Sequence, residues 1–230
     1  MSDTVPNEIV LGLLHTGAMH PPVFDALVAE RIANDERLRG AQQVHVTDAW
    51  LLDTAIADGV TPLVIDRIER HVRALAERGA TAVLITCSSI GEATEEIART
   101  APLPVVRVDT AMAAAAVTEA GRRGVGITVI ATLTSTLGPT SRLIERAATG
   151  TDVGVRSVVV EDAVARREAG DQRGHDELVL AAIRQALAED TVVVLAQASM
   201  ARALPAPDER VFSSPVSAVG ALLAAARAAS

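Results

Sequence analysis

Short apolar runs alternate with amphipathic segments along the whole chain. The runs predict strands at 8–15, 42–48, 81–86, 103–109, 125–132, 153–160, 191–196 and 210–215. Most of these runs are continuously apolar, which is typical of strands that are buried on both faces of a parallel sheet. The amphipathic segments between them predict helices that cover such a sheet. We therefore predict an α/β protein with mostly parallel sheets flanked by helices.

The helices are predicted from apolar spacing and from their end signals. The clearest one spans 61–80, where Thr61 is a natural N-cap, Pro62 lies in the first turn and Gly79 ends the helix. Further helices are predicted at 22–34, 90–100, 112–122, 137–148, from the polar segment 168–177 to about 188, and at 216–229, with a short one after the strand 191–196.

Two stretches share one layout. "AVLITCSSIGEA" (82–93) and "VVVLAQASMARA" (192–203) each run from a strand through small residues into a helix. Cys87 in the first stretch corresponds to Gln197 in the second. This repetition predicts two pseudo-symmetric halves, one formed by 1–102 plus 206–230 with Cys87, and the other by 103–205.

Composition and charge exclude several classes of partner. The net charge is −8 and no basic run occurs, so we expect no nucleic-acid partner. No apolar run reaches the roughly 18 residues of a membrane span, and the polar start 1–10 does not resemble a signal peptide. A single cysteine forms no internal disulfide and fits a reducing compartment, so we expect a cytoplasmic protein.

The missing residue types restrict the chemistry. All 21 basic residues are arginine, and the chain has no tyrosine. Schiff-base and lysine-anchored pyridoxal phosphate chemistry are therefore excluded. No spacing of cysteine and histidine suggests a metal site, and "GRRGVG" (121–126) precedes a strand, the wrong order for a dinucleotide loop. From these residues we expect no metal site, no lysine-bound pyridoxal phosphate and no dinucleotide loop at 121–126.

Polar side chains follow many of the predicted strands. They are His15 and Thr16, Asp48, Cys87 to Ser89, Asp109, Thr132 to Thr136, and Gln197 to Ser199. In open parallel sheets, ligands bind outside the carboxyl ends of the strands. These positions are therefore the candidate functional residues.

Each candidate also has a purely structural interpretation. Cys87 is either a buried core thiol or a reagent whose thiolate is favoured at a helix start. Ser88 and Ser89 either cap the helix or hold a substrate carboxylate with their N–H groups. The hydroxyls of Thr132 and Thr136 either form a turn and cap or a second carboxylate cradle, to which Ala198 and Ser199 would add N–H groups.

The histidine and aspartate candidates also have both a functional and a structural interpretation. His15 follows the first strand and is the best candidate for a second proton-transfer group, since its unperturbed pKa is near neutrality. His20, His45, His71 and His175 have no such positional argument. Asp48 and Asp109 follow strands, but each is as well explained as the cap of the next helix.

Together the motifs resemble one family. "LLHT" (13–16), "TCSSIGE" (86–92), "IATLTST" (130–136), "LAQASMA" (195–201) and "SSPVSAV" (213–219) occur in the order seen in the aspartate/glutamate racemase superfamily. That group includes glutamate, aspartate and hydantoin racemases, maleate isomerases and arylmalonate decarboxylases. The resemblance implies two pseudo-symmetric α/β domains, an active site in the cleft between them, and no cofactor.

The resemblance also implies a pair of catalytic cysteines, one in each half. Cys87 matches the first, but Gln197 stands at the second position, and an amide does not exchange protons near neutral pH. We expect a cofactor-independent racemase or isomerase acting on a small carboxylate substrate, with Cys87 and His15 as catalytic residues. Thr16, Ser88, Ser89, Thr132, Thr136, Gln197, Ala198 and Ser199 are the expected substrate-binding residues.

Two alternatives remain open at this stage. A decarboxylase or lyase needs to protonate only one face of a carbanion, so one thiol suffices. The other alternative is a non-catalytic carboxylate-binding protein that kept the carboxylate cradle after losing the second thiol. We also expect a homodimer or higher homo-oligomer.

Overall fold

Two four-stranded parallel sheets form the framework of residues 9–229, the part of the chain that this computed structural model describes. The strand orders are β2-β1-β3-β4 and β6-β5-β7-β8. The strands are β1 (Val10–His15), β2 (Gln42–Thr47), β3 (Ala82–Ile85), β4 (Val105–Arg107), β5 (Ile127–Ala131), β6 (Val155–Val159), β7 (Val192–Leu195) and β8 (Val211–Ser213). The predicted α/β class with parallel sheets is confirmed. The polar segment 1–8, including the predicted start of β1 at 8, lies outside the described residues.

Helices connect the strands within both sheets. They are α1 (His20–Ala33), α2 (Ala49–Ala57), α3 (Pro62–Glu77), α4 (Gly91–Ala98), α5 (Thr110–Arg123), α6 (Thr134–Ala147), α7 (Glu161–Glu168), α8 (Gln172–Ala188) and α9 (Ser214–Ala229), with short 3-10 helices at Glu36–Leu38, Ser88–Ile90 and Ala198–Ala203. The sequence pattern did not predict α2 or α7. Both are short, and α7 buries only Ala163, so neither has an extended apolar period to detect.

Helices cover both faces of the second sheet. Along β7, Val192 and Val194 belong to one core cluster, with Met112 of α5 and Ile144 of α6. The alternate residues Val193 and Leu195 belong to another cluster, with Val179 and Ile183 of α8. Successive side chains of a strand point to opposite faces, so a continuously apolar strand requires helices on both.

Helix α3 packs closely against β1, an inner strand of the first sheet. Helix α3 starts after the predicted N-cap Thr61, although the Thr61 side chain makes no capping hydrogen bond, and Gly79 follows it with a positive φ of 86°. A Cβ added to Gly12 of β1 would lie 2.9 Å from Val83 Cγ2 and 3.3 Å from Leu75 Cδ1 of α3. Only glycine therefore permits this close packing.

Contacts divide the chain into two units with the same strand order. Unit 1 runs to Thr86 and includes Ala93–Arg107 and the chain from Val219; unit 2 comprises Cys87–Glu92 and Val108–Ala218. Three segments group differently from the predicted bounds. The segment 103–107 lies with unit 1, because β4 pairs in parallel with β3 of the first sheet. Strand β8 pairs in parallel with β7 of the second sheet, so the segment before Val219 lies with unit 2. The segment Cys87–Glu92 also groups with unit 2, because it packs on α6.

None of the helices within residues 9–229 is long and apolar enough to cross a membrane. The same residues contain no group of three or more histidine, cysteine, aspartate or glutamate side chains arranged to hold a metal ion.

Candidate active site

Cys87 and Gln197 occupy equivalent positions in the two sheets. The last residue of β3, Ile85, pairs with Leu14 of β1, and the last residue of β7, Leu195, pairs with Ile130 of β5. Strands β3 and β7 therefore end at the same register, opposite the penultimate residue of the neighbouring strand. Cys87 and Gln197 each stand two residues beyond their strand and precede a 3-10 helix as its N-cap. Their φ angles are both −120°, with ψ of 116° and 134°. The repeat inferred from the sequence thus extends to the backbone conformation.

Cys87 is buried, and so are the two serines that follow it. The N-cap position belongs to Cys87, and its side chain makes no capping hydrogen bond. Ser88 and Ser89 form the 3-10 helix itself, which leads directly into α4. The serines are therefore inside the helical segment rather than capping it from the preceding position.

Ser89 joins the Cys87 segment to the start of α6. Its hydroxyl lies 2.9 Å from the Thr136 hydroxyl, and both side chains are buried. Thr136 is in the first turn of α6, whose N-cap is Leu133. The first N–H groups of a helix lack intrahelical partners and favour anions, so two predicted groups of binding residues meet at such a helix start.

Gln197 is hydrogen-bonded to Thr132, which lies just before α6. Its side-chain oxygen accepts hydrogen bonds from the Thr132 main-chain N–H (2.7 Å) and from the Thr132 hydroxyl (2.9 Å). Thr132 is buried, whereas Gln197, Ala198 and Ser199 are half-buried. Three of the predicted segments in unit 2 are thus connected through Ser89–Thr136 and Thr132–Gln197.

His15 is completely buried at the end of β1 in unit 1. Its Nδ1 lies 2.9 Å from the Thr86 hydroxyl, and its Nε2 lies 2.9 Å from His45 Nδ1. The Thr86 hydroxyl donates to the Leu14 carbonyl at 3.2 Å, so it accepts from a protonated His15 Nδ1. His15 Nε2 then accepts a hydrogen bond from His45.

The environment of His15 favours the neutral imidazole. Burial, followed by the neighbouring imidazoles of His45 and His20, lowers the pKa of His15 to about 3. Burial also lowers the pKa of His20 and of His45, and in His45 the carboxylate of Asp25 opposes that shift. Both ring nitrogens of His15 are hydrogen-bonded. The lowered pKa also disfavours the imidazolium form, whose additional proton a second proton donor would have to transfer near pH 7.

Thr16 follows His15 and is likewise buried in unit 1. Its hydroxyl makes no hydrogen bond within residues 9–229. A buried hydroxyl without a hydrogen-bond partner costs free energy of folding, so the Thr16 hydroxyl is an unsatisfied polar group at the carboxyl end of β1.

Asp48 begins α2 but does not cap it through its side chain. Its carboxylate instead accepts from Arg67 at 2.5 and 3.1 Å and from His71 at 2.7 Å. Burial raises the pKa of Asp48, but the hydrogen bonds from Arg67 and His71 outweigh it and the net pKa is lowered. Arg67 also stacks 4.7 Å above the ring of Trp50. The capping interpretation of Asp48 is therefore wrong.

Asp109 likewise precedes a helix, α5, without a side-chain capping bond. It is completely buried and accepts a hydrogen bond from Thr140 of α6 at 3.1 Å. This hydrogen bond connects the start of α5 to α6 within unit 2, which the sequence pattern around Asp109 did not suggest.

Sequence reasoning also missed an ion pair near Cys87. Glu92 of α4 receives two parallel hydrogen bonds from Arg142 of α6, at 2.7 and 2.9 Å. The partners are 50 residues apart. The only available signal was the charge of Glu92 shortly after Cys87.

The sequence of the chain is similar to one known protein family over almost its whole length. Residues 12–229 match the model of the Asp/Glu/hydantoin racemases. The chain belongs to this racemase family. The match includes Cys87, the 132–136 segment and Gln197. Family membership supports a racemase-type, and hence isomerase-type, enzyme. No curated protein matches the chain in sequence.

Solved structures of racemases have the same fold. An aspartate racemase homologue from Pyrococcus horikoshii aligns with a TM-score of 0.67 at 14% identity, over 94% of this chain and 98% of its own. An aspartate racemase from Picrophilus torridus gives 0.66 at 12%, over 95% and 94%. A glutamate racemase from Bacillus anthracis gives 0.59 at 17%, over 95% and 81%. At these identities the likeness establishes the two-domain α/β fold.

Proposed function

We propose that this racemase-family protein is a cofactor-independent isomerase of a small carboxylate substrate, with Cys87 as its acid/base or nucleophile. The observation that carries the proposal is the position of Cys87. The thiol stands beyond the end of β3, at the start of a helical segment whose Ser89 is hydrogen-bonded to Thr136. A proton-transferring group and two helix starts able to hold a carboxylate thus belong to one unit.

The proposed reaction begins with proton transfer at the carbon next to the carboxylate. The Cys87 thiolate forms an S–H bond as the C–H bond breaks, and the electron pair stays on that carbon, delocalised into the carboxylate. The N–H groups of the helix starts stabilise the added negative charge. Returning a proton to the opposite face inverts the centre, whereas returning it to the same face only exchanges it. A thiolate adding to a double bond is the corresponding nucleophilic route to isomerisation.

A specific observation favours a second candidate. Gln197 occupies the position equivalent to Cys87, and its amide has no proton to exchange near neutral pH. His15 is neutral and hydrogen-bonded on both nitrogens. A reaction that protonates one face is compatible with this set: in a decarboxylation the bond to one carboxylate breaks, CO2 leaves with the carbon electron pair remaining, and the Cys87 S–H proton is transferred to the carbon.

Both candidates are tested by one experiment in deuterated water. Aspartate, lactate, malate, maleate and methylmalonate are incubated with the protein, and exchange, inversion and CO2 release are followed by NMR and chiral chromatography. The isomerase predicts inversion or double-bond isomerisation, and the decarboxylase predicts CO2 with one deuteron in the product. Both reactions should be lost in Cys87→Ser and in Cys87→Ala.

The two variants separate chemistry from folding. Serine preserves the size of the side chain, so circular dichroism and thermal unfolding of Cys87→Ser should match the parent protein. Turnover that survives in both variants would refute a role of Cys87. Ligand-induced stabilisation without any turnover in the parent protein would instead support the binding-protein alternative.

A further inference from the structure

The orientation of the Gln197 amide is determined by a main-chain donor. A main-chain N–H only donates, so the atom facing the Thr132 N–H at 2.7 Å has to be the amide oxygen. The Thr132 hydroxyl donates to the same oxygen at 2.9 Å. Flipping the amide would put its NH2 group against an N–H donor. The Nε2 group is therefore the end of the side chain directed away from Thr132.

Among residues 9–229 the Nε2 group has no hydrogen-bond partner, and the Gln197 side chain is half-buried. Its two N–H groups are donors only. They attract an oxygen acceptor such as a carboxylate or a carbonyl, and they disfavour an ammonium group, which is also a donor only.

The surrounding groups offer little to an ammonium. Ser88, Ser89, Thr132, Thr136, Gln197, Ala198 and Ser199 carry no negative charge. Two acidic residues stand close in the chain to the ends of β3 and β4. Glu92 is held by Arg142, and Asp109 is completely buried and accepts a hydrogen bond from Thr140. Neither is a ready counterion for a substrate amine.

We propose that Gln197, oriented by Thr132, selects substrates whose reacting carbon carries, in place of an amino group, a second carboxylate or an acyl group with its carbonyl oxygen. The inference rests on the proposed function, since it concerns the substrate of the same site. Gln197 is a specificity-determining residue in this proposal, and the substrate class is 1,1-dicarboxylates and related oxo acids rather than α-amino acids.

The test uses three probes with one carbon skeleton. Alanine, lactate and methylmalonate share a methyl group, a carboxylate and the reacting carbon, and they differ in bearing an ammonium, a hydroxyl or a second carboxylate. Calorimetric titration of the whole chain should give a dissociation constant for methylmalonate at least about tenfold lower than for alanine, since hydrogen bonds to charged groups are the stronger ones.

A carboxylate at position 197 should reverse this preference. Gln197→Glu retains an oxygen for Thr132 but replaces the NH2 group with an acceptor, so methylmalonate should bind about tenfold more weakly or worse. Gln185→Glu makes the same change at an exposed position of α8 and should leave the affinity unchanged. Alanine binding as tightly as methylmalonate, an equal effect of the two variants, or no binding of any probe would each overturn the inference.

Failure of this inference differs from failure of the proposed function. Deuterium exchange of alanine or lactate that disappears in Cys87→Ser, without a preference for methylmalonate, would overturn the role of Gln197 and leave the proposed function standing. Selective methylmalonate binding that depends on Gln197 but leads to no Cys87-dependent chemistry would support the selectivity and refute the proposed reaction.

Discussion

The hydroxyls of Ser89 and Thr136 lie 2.9 Å apart, although 47 residues separate them in the chain. The contact links the 3-10 helix behind Cys87 to the first turn of α6. Both side chains are buried, so each hydroxyl would lose its partner if the other were removed. The pair therefore sets the relative position of two helix starts that we propose to hold the substrate carboxylate.

Removing either hydroxyl should weaken carboxylate binding. Ser89→Ala and Thr136→Val each leave one buried hydroxyl without a partner, which costs about 1–3 kcal/mol. In the double variant both partners are gone, so the loss should be smaller than the sum of the single losses by at least about 0.5 kcal/mol. Urea unfolding gives the stability cycle, and methylmalonate titration gives the binding cycle. Additive losses would show that the two hydroxyls act independently.

A thiol at position 197 should add proton transfer on a second face. Gln197→Cys should introduce inversion of acids for which the parent protein only exchanges the proton, because the two thiols would then occupy equivalent strand ends. The variant loses the acceptor of the Thr132 N–H, so we also expect a stability loss of about 1–3 kcal/mol.

Gln197→Ser is the matched control, since it loses the same acceptor without gaining a thiol. Chiral chromatography of lactate, aspartate and malate after incubation checks both variants. Inversion that appears equally in the serine variant, or in neither variant, would contradict a latent two-thiol arrangement.

Stability should fall as the pH drops below about 6.5, the ordinary value for histidine. The folded-state pKa of His15 is lowered to about 3, so in this range the unfolded chain binds a proton that the folded chain does not. The contribution of the neutral His15 is complete above pH 6.5 and is lost progressively toward pH 3, at no more than about 1.4 kcal/mol per pH unit. His20 and His45, whose pKa values are also lowered, act in the same direction.

Urea unfolding between pH 7 and pH 4.5 measures this dependence. In His15→Gln the decrease in stability over that interval should be smaller than in the parent protein, because the variant has one fewer group to protonate. Proton exchange at the Cys87 face should persist in the same variant. An unchanged pH dependence would mean that His15 is not the group that the folded state keeps neutral.

Asp48 should matter for the stability of unit 1. Asp48→Asn removes the charge that Arg67 and His71 share, and it leaves the half-exposed Arg67 without its counterion. Because Arg67 retains access to water, we expect a loss of about 1–3 kcal/mol in the free energy of unfolding rather than the larger cost of a fully buried pair.

Asp53→Asn makes the same change at an exposed position of α2 and should alter stability by less than about 0.5 kcal/mol. Denaturant unfolding of the two variants side by side gives the comparison. Equal losses would indicate that the carboxylate of Asp48 contributes no more than any surface charge.

The strands and the location of the candidate residues could be predicted from the sequence. Continuous apolar runs such as 81–86 and 191–196 are local signals, and they determine which segments are buried on two faces. Polar residues directly after such runs have to lie at the carboxyl end of a parallel sheet, which is why Cys87, Thr132 and Gln197 could be singled out. The helices α2 and α7 were missed, because each buries too few side chains to create a period.

The partners of those residues were decided by the tertiary structure alone. Nothing near Gln197 in the sequence indicates that Thr132 orients its amide, and nothing near Asp48 indicates that Arg67 and His71 take its carboxylate away from the helix cap. The protonation of His15 likewise depends on burial and on His45, a neighbour brought in by the adjacent strand. Local patterns determine which groups reach the edge of the sheet, whereas hydrogen bonding and desolvation, which depend on residues distant in the chain, determine what each group can do there.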